Sequence, residues 1–149
     1  MIIKKITVLS DAQVQDVLAL MSELTSSVVV TPGMLTKSLA SASSHLFAIV
    51  DNDDHIAGCA TLCVYDSPTG QKACLEDVVV SSKYRGQGLG ELLVQHVIEY
   101  ARRELGDVDI HLTSSPHRVA ANKLYQKLGF EKRETNAYEM KIRKEDESN

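Results

Sequence analysis

Apolar residues in the first half of the chain recur at two different spacings, which predict a mixture of strands and helices. Alternating positions predict strands, whereas positions three or four apart predict a helix. Asp11 is predicted to cap the first helix, and Thr31 is predicted to cap a second helix with Pro32 in its first turn. The predicted elements of this half are a strand over Ile2–Leu9, a helix with Val14, Val17, Leu18 and Met21 on one face, a helix over about Pro32–Ala42, and strands over His45–Val50, Ile56–Val64 and Ala73–Val80.

The second half alternates helices with strands. Gly106 and Gly129 are predicted to end the two helices of this half, since glycine readily takes the left-handed conformation found beyond a helix. The predicted elements are a four-turn helix with Leu93, Val94, Val97, Ile98, Ala101 and Leu105 on its apolar face, a strand over Val108–Leu112, a helix from Ser115–Pro116 with Ala121, Leu124, Tyr125 and Leu128 inside, and one or two strands within Phe130–Ile142. A parallel crossover thus joins an antiparallel meander, which predicts an α+β fold with a mixed sheet.

Composition narrows the class of protein. The 149 residues suit a single domain, residues 1–149, with residues 143–149 as a solvated tail. The net charge is −4 with dispersed lysines and arginines, which predicts neither a nucleic-acid partner nor a membrane partner. No signal peptide or membrane span is evident, so we expect a cytoplasmic protein and leave a homodimer open. Cys59, Cys63 and Cys74 are then expected to be reduced thiols.

The stretch YRGQGLGELL, residues 84–93, places three glycines between an apolar strand and a helix. Glycine backbone at a helix N-terminus offers N–H donors and a favourable dipole to an anion such as phosphate. A nucleoside-triphosphate loop would require Lys and then Ser or Thr after Gly90, but Glu91 and Leu92 follow. The dinucleotide fingerprint would require glycine at position 91. Neither motif fits.

The segment that does fit is Arg85–Gly90, which resembles the Arg/Gln-x-x-Gly-x-Gly/Ala loop of the GNAT acyltransferase superfamily. Ala121–Phe130, ANKLYQKLGF, resembles the second signature of that family, and Leu75–Val80 resembles the strand before the loop in polyamine and glucosamine-phosphate acetyltransferases. The resemblance covers Ala73 to about Tyr138. It implies the GNAT fold, with a mixed central sheet of about six or seven strands and about four helices, and an acetyl-CoA-dependent N-acetyltransferase.

The resemblance also implies where the coenzyme binds. The pyrophosphate of acetyl-CoA, the co-substrate, would lie on the loop residues Arg85, Gly86, Gln87, Gly88, Leu89 and Gly90. The pantetheine amides would pair with the backbone of Val78, Val79 and Val80 like an added strand. Asn122 could hydrogen-bond either the pantetheine arm or a nearby backbone group.

Two side chains are candidates for the acid–base chemistry of acetyl transfer. Glu76 lies in an apolar strand, where a carboxylate is costly unless it is paired or faces a cavity. It could accept the amine proton through water, or it could form a strand-end salt bridge; strand alternation places Asp77 on the opposite face. Tyr125 matches the family's general acid for the coenzyme thiolate, although a tyrosine on an apolar helix face is often a core residue.

The sequence indicates the chemical class of the acetyl acceptor but not its identity. In the resembled family it is bound by the segments that here are Thr25–Ala42 and Arg133–Tyr138. The first has Lys37 as its one charge, so it carries neither an acidic cluster for a polyamine nor a basic cluster for a sugar phosphate. We therefore expect a primary amine, as a small molecule, transferred directly in a ternary complex, and no metal. Two alternatives stay open: a coenzyme A-binding sensor or partner subunit without turnover, and transfer to protein N-termini or lysines.

Overall fold

The computed structural model describes residues 1–144, so residues 145–149 of the predicted tail lie outside the described residues. Within that range it contains five strands and four α-helices, which confirms the predicted α+β class and the helix number. The elements are β1 (Ile2–Ile6), α1 (Asp11–Leu24), α2 (Pro32–Ala40), β2 (Ser44–Val50), β3 (Ile56–Ser67), β4 (Gly70–Val80), α3 (Leu89–Glu104), β5 (Asp109–His111) and α4 (Val119–Lys127).

The strands form one mixed sheet in the order β1-β2-β3-β4-β5. Strands β1 to β4 are antiparallel neighbours, and β5 joins β4 in parallel through the crossover helix α3. A parallel neighbour requires such a crossover, whereas antiparallel neighbours need only tight turns. The predicted joining of a meander to a crossover unit is therefore confirmed.

Two hydrophobic layers cover the two faces of the sheet. Helix α1 contributes Val17 and Leu20 to one layer, and helix α3 contributes Leu93 and Val97 to the other. All four side chains are at most 3% exposed. Tyr125 of α4 belongs to the α3 layer. The sheet thus separates an α1 side from an α3 side, and each candidate site residue can be assigned with respect to them.

Two helix starts differ from their predicted positions. The N-cap of α1 is Ser10, not Asp11: the Ser10 hydroxyl accepts a hydrogen bond from Gln13 N, and the Gln13 side chain accepts one from Ser10 N. This reciprocal pair forms a capping box, which satisfies two backbone donors at once. Helix α4 starts at Val119 rather than at Ser115–Pro116, because residues 116–117 form a turn that the hydrogen bond from Arg118 N to Ser115 O closes. The predicted cap Thr31 of α2 is confirmed.

The strands predicted within Phe130–Ile142 are absent from the structure, so the sheet has five strands rather than six or seven. Tyr138, Met140 and Ile142 alternate with charged residues as a strand would, but they are 89%, 84% and 82% exposed. A strand needs a hydrogen-bonded neighbour as well as an alternating pattern. No neighbouring strand pairs with this segment among residues 1–144.

A bulge interrupts β4 where it enters the candidate site. Cys59 is aligned with Val79 and Thr61 with Glu76, so two residue steps on β3 correspond to three steps on β4. Asp77 lies inside this bulge with a φ of 51°. A positive φ is uncommon for residues other than glycine, although aspartate and asparagine tolerate it best. Bulges of this kind bend a strand and redirect its side chains.

The helices of residues 1–144 include none with both the length and the apolar run that a membrane crossing requires.

Candidate active site

Strand β4 continues well beyond the end of its pairing with β5. The parallel ladder contains only three aligned pairs and ends at Cys74 and His111, whereas β4 continues to Val80. Within the described residues, the β5-facing edge of 75–80 therefore has no partner strand. The backbone of Val78, Val79 and Val80 belongs to this unpaired edge, which we name the gap between β4 and β5, and an extended ligand could pair with such an edge.

The glycine loop follows directly at the end of this gap. Ser82–Tyr84 form one turn of 3-10 helix, and α3 begins at Leu89 with Gly88 as its N-cap. Gly86 and Gly88 have φ values of 79° and 76°, and a Cβ atom on either would meet no atom within 4 Å. The loop is thus left-handed at two positions and open above its backbone.

The first turn of α3 adds hydrogen-bond donors to that open surface. The first N–H groups of a helix have no acceptor within the helix, and the dipole there favours an anion. Gly88 has no side chain to cap them. Leu89 and Gly90 lie in this first turn, and Gln87 directly precedes the cap. The six residues of the predicted pyrophosphate loop are therefore contiguous around one helix N-terminus.

Hydrogen bonds to two other residues fix the Arg85 side chain at the start of the loop. Its Nε donates to the carbonyl oxygen of Val80 at 3.1 Å, and its Nη2 donates to Oε2 of Glu23 in α1 at 3.3 Å. Part of its charge is therefore already neutralised by a carboxylate. Sequence reasoning did not identify Glu23, because no local motif connects residues so distant in the chain.

A second ion pair joins the two helices that flank the loop. Lys127 Nζ, at the end of α4, lies 3.0 Å from Oε2 of Glu91 in the first turn of α3. Glu91 is the residue that excludes the dinucleotide motif. Lys127 counters the negative charge of Glu91 beside the candidate anion site and links α4 to the first turn of α3.

Asn122 is occupied by the backbone that precedes α4. Its Nδ2 donates to the carbonyl oxygens of Ser115 and Arg118, both at 2.9 Å. Of the two predicted roles, these contacts favour the bond to a nearby backbone group. The side chain therefore fixes the turn between β5 and α4.

Glu76 lies on the α1 side of the sheet. It is aligned with Thr61, which lies two residues from Cys59 in the α1-side layer. The residue is exposed, yet partial burial of its carboxyl group raises its pKa, and the nearby charge of Asp77 raises it further. The predicted separation of Glu76 from Asp77 rests on strict alternation, and the bulge breaks that alternation between them.

Tyr125 lies on the α3 side and is 6% exposed. Its ring packs edge-on against Phe130 at 5.9 Å between centroids. Burial raises the pKa of its hydroxyl, and the positive charge of Arg118 opposes that rise. The phenol therefore stays protonated at neutral pH, as a proton donor must.

Glu76 and Tyr125 thus approach the sheet from opposite sides. The gap between β4 and β5 is where the sheet is not closed by hydrogen bonds, so a ligand in the gap could be reached from both sides. Among the described residues, no three His, Cys, Asp or Glu side chains are close enough together to bind a metal ion.

Comparison with known proteins identifies relatives of the chain. Residues 16–130 match the model of the acetyltransferase (GNAT) family. The chain is 34% identical over 100 residues to N-acetyltransferase 8B of Rattus norvegicus, which is 66% of this chain and 45% of the relative. It is 32% identical over 89 residues to streptothricin acetyltransferase of Streptomyces lavendulae, or 60% of this chain and 46% of that one. The chain thus spans about half the length of the curated relatives it matches.

A solved structure supports the fold. The crystal structure of glucosamine-6-phosphate N-acetyltransferase from Arabidopsis thaliana superposes with a TM-score of 0.71 over 93% of this chain and 96% of that chain. The sequence identity is 19%, so the likeness concerns the fold alone.

The bulge generates a testable electrostatic prediction. Asp77→Asn should lower the pKa of Glu76, because it removes a negative charge that disfavours ionisation of the neighbouring carboxyl group. Asparagine has the same size as aspartate and also tolerates a positive φ. The measurement is an NMR titration of the Glu76 side-chain carboxyl in both proteins.

Asp66→Asn provides the control, since Asp66 is an exposed carboxylate near the far end of β3. It should leave the Glu76 titration unchanged. A midpoint that Asp77→Asn does not move would show that burial alone sets the pKa of Glu76.

Proposed function

This chain belongs to the acetyltransferase (GNAT) family, and from that premise we propose that it transfers an acetyl group from acetyl-CoA to a primary amine. We propose that residues 1–149 act as one catalytic domain and that transfer is direct, in a ternary complex of protein, acetyl-CoA and amine. The acetyl thioester is a co-substrate, and the chemistry needs no metal ion.

One observation carries the proposal: the unpaired edge of β4 leads directly into an open, glycine-rich helix N-terminus. Acetyl-CoA has an extended pantetheine arm with amide groups and a pyrophosphate at its far end. The strand edge suits the amides and the helix N-terminus suits the pyrophosphate. The order of the two features along the chain matches the order of the two groups in the ligand.

The proposed reaction starts with a neutral amine attacking the thioester carbonyl carbon. A C–N bond forms while the C–S bond breaks, so one proton must leave the nitrogen and one must reach the sulfur. Glu76 accepts the amine proton through water, and its raised pKa makes it a stronger base than an ordinary glutamate. Tyr125 gives its phenolic proton to the departing thiolate.

The two roles suit the two sides of the sheet. Glu76 lies on the α1 side, and the expected acceptor segment, residues 25–42, packs against that side through Val30, Leu35 and Leu39. Tyr125 on the α3 side belongs to the layer that packs behind the coenzyme loop. A thioester in the gap would have the amine on one side and its sulfur on the other.

We propose a small molecule as the acceptor. The relative from Streptomyces lavendulae is named as an acetyltransferase of streptothricin, a small molecule. Lys37 is the one charged residue of the segment 25–42, so this segment offers no acidic cluster for a polycation. A segment with this single charge favours an amine whose neighbouring groups are apolar or uncharged.

Gly88 tests the coenzyme site. Gly88→Asp should abolish most of the stabilisation by acetyl-CoA, because it adds a negative charge at the anion site. Gly88→Asn is the matched control: it has the same size, tolerates the positive φ and carries no charge. The measurement is thermal unfolding with and without acetyl-CoA, which for the wild type should yield about 2.7 kcal/mol at a hundredfold excess over Kd.

Equal stabilisation of the Asp and Asn variants would mean that the loop does not bind the pyrophosphate. Absence of any thermal shift in the wild type with acetyl-CoA or coenzyme A would contradict the proposed function itself.

Tyr125 tests the proposed chemistry. Tyr125→Phe keeps the ring and its contact with Phe130, so stability should fall by at most about 0.5–1.5 kcal/mol. Acetyl-CoA affinity should hardly change, whereas turnover should fall roughly 10²–10⁴-fold because a positioned acid is lost. Turnover is measured as release of free thiol with an acceptor found in a panel of amines, amino acids and peptides.

A donor with a more acidic thiol should show a smaller loss, because a better leaving group needs less protonation. A folded Tyr125→Phe protein with unchanged turnover, where the chemical step limits the rate, would return Tyr125 to a purely structural role.

A further inference from the structure

A carboxylate from α1 binds the segment that precedes the coenzyme loop. Glu23 Oε1 accepts a hydrogen bond from Ser82 Oγ at 2.9 Å, and Oε2 accepts one from Ser82 N at 3.1 Å. Oε2 also accepts from Arg85 Nη2 at 3.3 Å. The Glu23 side chain thus contacts the backbone N–H of Ser82 and the side chains of Ser82 and Arg85. Glu23 lies about 60 positions away from these two residues in the chain.

These contacts fix the loop at its β4 end. Arg85 donates through Nε to the last carbonyl of β4, that of Val80, while its other end is bound to Glu23. Gly86 and Gly88 follow at once in left-handed conformations. Glycines restrict the backbone least, so the loop's geometry depends on what anchors its ends. The anchor on the β4 side consists of Glu23, Ser82 and Arg85.

We propose that Glu23 is a positioning residue for the coenzyme loop, a role that rests on the proposed function and extends it to α1. Glu23 holds Ser82 and Arg85 so that the loop N–H groups point toward the pyrophosphate. It need not touch the coenzyme. Its side chain is 32% exposed and that of Arg85 is 56% exposed, so this ion pair contributes little to global stability. Its effect is therefore on the local geometry of the loop.

The sign of the effect separates this role from simple proximity. A carboxylate near a pyrophosphate repels it, so removal of an inert charge at position 23 would strengthen acetyl-CoA binding. Removal of a positioning carboxylate should weaken binding, because the donors lose their alignment. Replacement of a residue that only stabilises the fold would not change acetyl-CoA binding selectively.

The test uses Glu23→Ala and Glu23→Gln in the full chain, with acetyl-CoA and with S-acetyl-pantetheine, which lacks the pyrophosphate. With acetyl-CoA, Glu23→Ala should raise KM about ten- to hundredfold, the equivalent of one or two hydrogen bonds to a charged group, and change kcat less than about threefold. Glu23→Gln keeps one carbonyl oxygen as an acceptor, so its KM for acetyl-CoA should lie between those of Glu23→Ala and the wild type. With S-acetyl-pantetheine, all three proteins should be equal.

Glu99→Ala is the matched control, because Glu99 is also a helical carboxylate paired with an arginine, Arg102, at 2.6 Å. It should leave KM for both donors unchanged. Tighter binding of acetyl-CoA by either Glu23 variant, or equal losses with both donors, would overturn the positioning role. Failure of the wild type to use or bind acetyl-CoA would instead refute the proposed function, so the two outcomes are distinguishable.

Discussion

The early end of the β4–β5 ladder is the constraint on which the candidate site depends. Backbone N–H and C=O groups in a sheet require partners, and a strand edge without a neighbouring strand is ready to pair with another extended chain. Here the ladder ends at Cys74 and His111 while β4 continues to Val80. The bulge at Asp77 interrupts a different pairing, that of β4 with β3, and lies in the same stretch of β4 next to Glu76. The unpaired edge and the candidate base therefore belong to one short stretch of this strand.

Two features set the electrostatics beside the gap: two charged side chains there are paired with opposite charges, and the backbone of the glycine loop is accessible. Arg85 is paired with Glu23, and Glu91 is paired with Lys127. Beside these compensated charges, the positive end of α3 and the N–H groups of its first turn offer further favourable interactions to an anion. This arrangement explains why the loop is rich in glycine, since Gly86 and Gly88 leave the backbone accessible.

Local signals in the sequence were sufficient to predict most helices and strands, whereas contacts between distant parts of the chain could not be predicted from them. The cap Thr31 and the glycine loop could be predicted because a few adjacent residues determine each of them. The predicted N-cap of α1 was wrong by one residue because Ser10 and Asp11 are both good caps. Only the reciprocal hydrogen bonds between Ser10 and Gln13 decide between them. The bulge at Asp77 could not be predicted, since nothing about an aspartate in a strand requires a positive φ. Glu23 could not be found at all, because its role exists only when α1 packs beside β4.

The central claim is that the β4 edge and the glycine loop together bind coenzyme A. Amide hydrogen exchange of the free protein and of its mixture with saturating coenzyme A tests this claim residue by residue, because exchange slows where an amide gains a hydrogen bond. Exchange should slow at two separate segments, residues 76–80 and residues 86–91, with little change in β1 and β2. Unchanged exchange in both segments, under conditions where coenzyme A is bound, would contradict it.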